Sequence, residues 1–358
     1  MENLVDFYNN KRVFITGDTG FKGSWLACML HSMGAIVHGY ALSPPSAPSL
    51  WELAHISEHT KHTHADILDS PTLQKKMQDC APDIVLHLAA QSLVRPSYES
   101  PFATFNTNVM GTASVLDAVL STPSVKGTII VTSDKCYKNT GEPYAYKESD
   151  SMGGDDPYSA SKGCAELMTH AYRQSFFTKT GQALASVRAG NVIGGGDFAT
   201  DRLIPDMVRA FAKNESVSIR NPTATRPWQH VLDPLYGYLL LAKKLLEEPA
   251  SYNKGWNFGP MHQETHTVGE VVKQFSTHWN DSSIYLDTNV HPHESAYLGL
   301  DCTQAQTQLQ WQSKLSFTDS IAWTAGWFLK LSQGENAYSL CMQQIELFLS
   351  LHGKKRNP

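Results

Sequence analysis

The sequence predicts an α/β fold: a doubly wound parallel sheet with a smaller, mixed C-terminal substrate lobe. Three observations carry this expectation. Short apolar runs alternate with helix-length segments through residue 188, the order that covers both faces of a parallel sheet with helices. The first apolar run ends in a glycine-rich turn, Thr16-Gly-Asp-Thr-Gly-Phe-Lys-Gly23, which opens a helix. Beyond residue 188 the regularity breaks at Gly194-Gly-Gly196, and aromatic and basic residues become mixed.

The elements follow in order. Arg12–Thr16 reads as the first strand and Ser24–Met33 as the first helix, with apolar residues at helical spacing. Ala35–Tyr40 is the second strand, and His64–Ile67 ends the third. Asp83–Leu88, Gly127–Ser133 and Ala183–Arg188 are the fourth, fifth and sixth. Helices are expected over 71–80, 105–121 and 157–179. Asp155 and Asp156 are able to cap the last of these, and Pro157 suits its first turn. Residues 1–188 are read as the cofactor domain and 189–358 mainly as the substrate lobe, with part of 229–258 returning to the first domain. Ligands of such a sheet sit at the carboxyl ends of the strands.

Composition narrows the function classes. The 358 residues suffice for one large or two modest domains, and 41% apolar with 18% charged content reads as soluble and globular. Twenty-nine basic against 34 acidic residues give −5, so no basic field points to nucleic acid. The opening residues lack a basic segment followed by an apolar core, and no run approaches the ~20 residues a membrane span needs, so neither a signal peptide nor a membrane partner is expected. Six scattered cysteines, at 28, 80, 136, 164, 302 and 341, include no CxxC pair and suit a reducing cytoplasm. His55, His59, His62 and His64 lack nearby cysteines and follow a proline-rich loop; they read as a solvated helix or loop, and no metal is expected.

The turn has the chemistry of a dinucleotide site. Gly17 allows the tight turn, Gly20 lets the backbone approach a pyrophosphate, and Gly23 allows the helix to pack on the strand. The helix N-terminus then meets negative charge. The acidic residue that usually ends the second strand is missing, because that end reads Gly39-Tyr-Ala-Leu-Ser43. No arginine cluster replaces it to hold a 2′-phosphate, which favours NAD over NADP. Asp66 either meets the adenine amino group or caps a helix.

Tyr158-Ser-Ala-Ser-Lys162 puts a phenol and an ammonium on one helix face. Alone, the pattern also fits a surface helix. Beside a cofactor turn it suits alcohol oxidation with tyrosine as base. A free phenol has a pKa of ~10, and lowering it by ~3 units takes ~4 kcal/mol, which a near lysine plus a cationic cofactor can supply.

Taken together, the glycines at 17, 20 and 23, Leu88-Ala-Ala90, Thr107-Asn108, and Tyr158 with Lys162 resemble the extended short-chain dehydrogenase/reductase family over nearly the whole chain. The resemblance implies a Rossmann domain and bound NAD, held by Gly17, Gly20, Phe21, Lys22, Gly23, Asp66, Ile67, Leu88, Ala89, Ala90, Thr107, Tyr158 and Lys162. It also implies a nucleotide-sugar partner and a homodimer, or a tetramer, assembled through helices 105–121 and 157–179.

Within that family, Gly17–Leu26, Tyr40–Pro45, Ser133-Asp-Lys-Cys-Tyr137, Asp201–Asp206 and Arg226-Pro-Trp-Gln-His-Val231 resemble the nucleotide-glucose 4,6-dehydratases. The base, cytosine in CDP-glucose, is implied by likeness alone. The implied reaction oxidises C4 of the sugar, eliminates water across C5 and C6, and returns hydride to C6. Tyr158 and Lys162 serve the oxidation, and Ser133 donates to the C4 oxygen, where charge develops. Asp134 is the acid for the 6-hydroxyl, which demands a carboxyl kept protonated by burial; its other reading is a strand-end cap. Lys135 stands where related dTDP-glucose dehydratases carry a glutamate. It is either the C5 base, with a lowered pKa, or an enolate stabiliser while another group takes the proton.

Asn191 is implied as a sugar or diphosphate ligand. Arg202, Arg220 and Arg226 are permanently charged forks suited to a diphosphate, although each also reads as a surface arginine. Trp228 stacks on a ring or fills the core, and His293 and Glu294 have no assigned role. The rivals are a 4-epimerase, a dehydratase of another nucleotide-glucose, a net reductase and a non-catalytic nucleotide sensor. Asp134-Lys135 favours dehydration, and the intact tyrosine and lysine disfavour the sensor.

Overall fold

Seven parallel strands organise the computed structural model, which describes residues 4–260, 264–279, 284–287 and 296–353. They are β1 (Arg12–Thr16), β2 (Ile36–Ala41), β3 (Lys61–His64), β4 (Ile84–His87), β5 (Gly127–Val131), β6 (Ala183–Ala189) and β7 (Gly255–Phe258). Their order is β3-β2-β1-β4-β5-β6-β7. The chain moves outward from β1 to β3, then crosses to β4 and continues the other way. A crevice therefore opens between the carboxyl ends of β1 and β4.

Alternate residues feed two cores, one on each sheet face. Val13, Ile15, Ile84 and Leu86 enter one; Phe14, Val85 and Ile130 enter the other. All residues of β4, β5 and β6 are buried, as a sheet covered on both sides requires. The third strand lies three residues earlier than the sequence suggests. Lys61-His-Thr-His64 is a half-exposed edge strand, so it lacks the apolar run that marks the central strands.

The helices that matter to the site are α1 (Phe21–Ser32), α2 (Ser70–Cys80), α3 (Gly111–Leu120), α4 (Pro157–Tyr172) and α5 (Leu203–Ala212). Three more are α6 (Leu232–Glu247), α7 (Phe317–Ser332) and α8 (Ala337–Gly353). The helix expected over 105–121 is a five-residue helix, Pro101–Phe105, joined to α3 through a π segment at Asn106–Met110. A second π segment, Arg173–Phe177, follows α4. No described helix is long and apolar enough to cross a membrane.

After β6 the chain both builds a lobe and returns to the sheet. β7 pairs with β6, α6 packs against β5 and β6, and α8 packs against α1. The lobe is built on short strand pairs, including Val192–Ile193 with Gln229–His230 and Val217–Ile219 with Ile284–Leu286. The histidine cluster is not one solvated helix or loop. His62 and His64 lie on β3, His62 Nδ1 is 2.8 Å from the buried Asp18 carboxylate, and His59 stacks on Tyr338 at 4.0 Å. Among the described residues no three metal-ligating side chains converge.

Candidate active site

A cavity of about 1110 Å³ runs along the carboxyl ends of the strands and into the lobe. It is lined by Gly17, Gly20, Phe21, Lys22, Gly23, Asp66, Ile67, Leu88, Ala89, Ala90 and Thr107 at one end, and by Asn191, Arg202, Arg220 and Arg226 at the other. Ser133, Asp134, Lys135, Tyr158 and Lys162 lie between. The volume exceeds the usual range for one small ligand and suits a dinucleotide beside a second nucleotide.

The turn divides its labour among three glycines. Gly17 has φ +78°, and a Cβ there would sit 2.6 Å from the Ala89 nitrogen. A Cβ on Gly23 would lie 2.1 Å from the Gly17 carbonyl oxygen. Gly20 meets nothing closer than 3.4 Å, so its bare backbone faces the cavity. α1 has no side-chain cap, which leaves its first N–H groups for an anion. These features fit a dinucleotide pyrophosphate.

At the adenosine end, Ala41, Leu42 and Ser43 line the wall where an acidic residue is expected, and Ser46 and Ser49 add hydroxyls without a cation. Asp66 Oδ1 accepts from the Leu68 N–H at 2.9 Å, whereas the cap of α2 is Asp69. The helix-cap reading of Asp66 therefore falls, and its place on the cavity wall stands. Sequence reasoning missed Asp18. Its carboxylate is buried against Gly39, which has no room for a Cβ, and it ties the turn to His62 on β3.

Tyr158 and Lys162 are set by local chemistry. Asp156 caps α4 by accepting from the Ser159 N–H at 2.9 Å, and Pro157 occupies the first turn. Lys162 Nζ donates to the Val131 carbonyl at 3.4 Å. Ser133 lies just past β5; its Oγ donates to Asp134 Oδ1 at 2.9 Å, and Lys135 Nζ stands 3.6 Å from that oxygen. Asp134 Oδ2 is buried and has no hydrogen-bond partner among the described residues. Ser133, not Asp134, caps the short turn, so the capping reading of Asp134 falls.

Two pKa shifts differ from what the YxxxK spacing suggests. Burial pushes the Tyr158 phenol up to about 12; the hydrogen bond with Ser133 opposes this and Asp134 adds to it. The lysine does not lower it in the protein alone. Instead Lys162 itself falls to about 8 through burial, against the pull of Cys136 and Glu166. Lys22 falls to about 7, through burial and then Arg202, with Asp134 opposing and Lys162 and Lys135 adding smaller effects. It thus acts together with Asp134, Lys135 and Lys162 as well as belonging to the glycine turn.

Buried polar networks hold these groups. Glu166, one turn beyond Lys162, pairs with Arg188 at 2.8 and 2.9 Å and accepts from Thr132 and Ser186. Arg188 also donates to the Tyr137 hydroxyl at 2.6 Å, steadying the segment after Lys135. Asn108, in the π segment, donates to Ser161 on α4 at 2.8 Å and accepts from the Gln91 N–H at 2.8 Å. The sequence contains the resemblance-bearing Asn108 but no signal for these partners.

On the lobe side, Asn191 Oδ1 is buried without a hydrogen-bond partner among the described residues. Arg202 turns to Asp197 at 3.3 Å, and Arg220 stands 3.5 Å from Asp201. Arg226 is buried and donates to the carbonyl of Thr225 at 2.9 Å. Trp228 is a core residue with one edge on the cavity, its Nε1 donating to the His266 carbonyl at 3.0 Å. Arg95 lines the same space and was missed. His293 and Glu294 lie outside the described residues.

Comparison with known proteins places this geometry. The family model described as GDP-mannose 4,6 dehydratase matches residues 14–324. The chain belongs to this family. A CDP-glucose 4,6-dehydratase of Salmonella typhimurium is 47% identical over 351 residues, covering 96% of this chain and 98% of that protein. A dTDP-glucose 4,6-dehydratase of Xanthomonas campestris is 27% identical, covering 88% and 92%. Among solved structures, the fold of the GDP-mannose 4,6 dehydratase family member described here matches a dTDP-glucose 4,6-dehydratase from Streptomyces venezuelae with NAD and TYD bound. The TM-score is 0.78 at 22% identity, covering 91% and 99%. It also matches a UDP-glucose-4-epimerase from Stenotrophomonas maltophila with bound NAD, at TM-score 0.78 and 23% identity, covering 91% and 100%.

Proposed function

We propose that this chain is an NAD-dependent hydro-lyase that converts CDP-D-glucose to CDP-4-dehydro-6-deoxy-D-glucose and water. The observation that carries the reading is the Ser133-Asp134-Lys135 turn, set beside Tyr158 in the cavity that the glycine turn opens. The 47% likeness to a CDP-glucose 4,6-dehydratase supports the choice of sugar nucleotide. An epimerase has no use for an acid–base pair at this place.

Gly20 and the uncapped N-terminus of α1 would hold the cofactor pyrophosphate, and Lys162 would stand by its ribose and nicotinamide end. NAD, when bound there, would supply a hydride acceptor for C4 and the donor for C6, so no second substrate would be consumed. Tyr158 removes the proton of the 4-hydroxyl. Its phenol, pushed up to about 12 by burial in the protein alone, becomes a base only with cationic charge placed against it. Ser133 donates to the C4 oxygen as the carbonyl forms. The new ketone acidifies C5–H; a lysine takes that proton, Asp134 protonates the departing 6-hydroxyl so that water leaves, and the lysine returns the proton to C5 as hydride reaches C6.

Lys135, paired with Asp134, is the base by position. Lys22 supports a second reading of this one step, because its value of about 7 leaves it partly unprotonated at neutral pH. Asn191, Arg202, Arg220 and Arg226 would take the sugar and diphosphate.

Three further assignments belong to the same reading. Residues 1–188 with part of 229–258 form the NAD-binding domain, and the rest of 189–358 is mainly the nucleotide-sugar lobe. A homodimer forms across Pro101–Leu120 and α4, where Phe102, Met110 and Leu167 are 82%, 55% and 61% exposed. Six free thiols suit a reducing cytoplasm.

The deciding experiment uses substrate deuterated at C4, attached in turn to CDP, dTDP, UDP and GDP. The expected product has lost water and carries deuterium at C6, fastest with CDP. Recovery of intact mass, or deuterium only in solvent, would remove the dehydratase assignment.

A further inference from the structure

The diphosphate end of the cavity contains an anion of the protein's own. Asp201 Oδ1 stands 3.2 Å from Arg95 Nη1 and 3.5 Å from Arg220 Nη1. Arg95 belongs to the short helix Val94–Glu99, which follows β4 in the sheet domain. Arg220 follows the lobe strand Val217–Ile219. One carboxylate therefore bridges the two walls, and all three side chains line the cavity. Asp201 sits at φ +59°, a conformation that asparagine and aspartate tolerate and most residues avoid. The backbone is thus committed to presenting this carboxylate.

We propose that Asp201 is a stand-in for the substrate's diphosphate: it clips Arg95 to Arg220 in the free enzyme and yields both arginines to the incoming nucleotide. Arg95 is then a substrate-binding residue. This rests on the reading that the site takes a nucleoside diphosphate sugar. A guanidinium fork fits carboxylate and phosphate by the same geometry, so one anion is able to replace the other without rebuilding the site. The clip is of the kind that releases. The side chains of Arg95, Asp201 and Arg220 are 29%, 40% and 26% exposed, and ion pairs at such positions are weak. Arg220 Nη1 is buried and makes no hydrogen bond among the described residues, its carboxylate contact being an ion pair only. A diphosphate carries more charge and more acceptor oxygens than the single carboxylate it displaces.

The test is calorimetric titration of the full-length enzyme with CDP alone, which binds without reacting. Asp201→Asn keeps the left-handed backbone and removes the competing charge. It is expected to bind CDP about three- to tenfold more tightly, the change that two weak ion pairs represent. Arg95→Ala is expected to bind CDP at least about tenfold more weakly, because it loses a charged fork. CMP, with one phosphate fewer, should gain less from Asp201→Asn than CDP does. Unchanged or weaker CDP binding by Asp201→Asn, or wild-type affinity in Arg95→Ala, overturns the clip. If the wild-type enzyme prefers dTDP, UDP or GDP, the cytidine assignment fails, and the same variants titrated with the preferred nucleotide decide the clip by itself. If it binds none of the four, both inferences fall.

Discussion

Replacing Arg188 with methionine takes away the guanidinium paired with the Glu166 carboxyl, at a place where the two side chains are only 5% and 4% exposed. In the wild-type protein, burial pushes that carboxyl upward. Arg188, together with the hydrogen bonds from Arg188, Thr132 and Ser186, outweighs burial and holds it below the ordinary 4.5. Without that guanidinium, burial outweighs the remaining hydrogen bonds and the pull of Arg173 and Lys162, and the carboxyl takes a proton. That escape bounds the cost. A group with an unfolded value of 4.5 that must be protonated at pH 7 costs about 3.4 kcal/mol, and at pH 5 about 0.7 kcal/mol. The lost hydrogen bond to Tyr137 adds roughly 1 kcal/mol at either pH. The signs of the two proteins are opposite. The depressed wild-type carboxyl contributes stability that is present above its unfolded value and is lost as pH falls through the folded one. In the variant the folded value is raised, so stability is full below the unfolded value and is lost as pH rises. The destabilisation is therefore expected to be about 4 kcal/mol at pH 7 and about 2 kcal/mol at pH 5. Urea unfolding at pH 5, 6 and 7, followed by tryptophan fluorescence, measures it. A difference that does not change with pH would refute the buried-charge account. Pairing Arg188→Met with Glu166→Leu should cost less than the sum of the two single changes, since the carboxyl is then removed together with the guanidinium that pairs with it.

Three further outcomes follow from the same geometry. Tyr158→Phe should lower kcat by about 10³-fold while NAD still copurifies, as read from the absorbance of heat-released cofactor; turnover within tenfold of wild type would take the base role from Tyr158. The kcat/KM of the wild type should rise with pH through about 7, as Lys22 loses its proton, and fall above about 8, as Lys162 loses the charge that supports Tyr158; Lys22→Met should remove the rising limb, and an unaltered profile would leave the C5 proton to Lys135. In sedimentation velocity the wild type should run as a dimer and Leu167→Asp, at an exposed site on α4, as a monomer; equal sedimentation coefficients for the two would refute an interface across α4.

The elements that were legible in the sequence are those whose signal is local. Arg12–Thr16, Gly127–Val131 and Ala183–Ala189 are short, mostly apolar segments because the sheet is covered on both faces. Lys61–His64 was displaced because an edge strand needs no such run, and Gly255–Phe258 was not identified as a strand because four residues carry little period of their own. The π segments around Asn108 and Arg173 leave no mark in a helical pattern. At the site, the glycine spacing and the Tyr158–Lys162 pair could be read because each is fixed within one turn or one helix. Asp18 with His62, Glu166 with Arg188, and Arg95 with Asp201 lie 44, 22 and 106 residues apart, and no local rule connects them.

By itself the sequence determined the chemistry available: a glycine turn at Gly17–Gly23 suited to a dinucleotide, a phenol and ammonium on one face, and an acid and a lysine after β5. These follow from backbone geometry and side-chain type over a few residues. Only the tertiary structure decided the state of those groups. The Tyr158 phenol rises instead of falling, because burial outweighs what its local neighbours can offset. Lys22 is lowered because the cavity brings the glycine turn to Arg202, with Asp134 opposing. Burial and charge depend on what the rest of the chain places nearby, and that is set by the packing of distant segments.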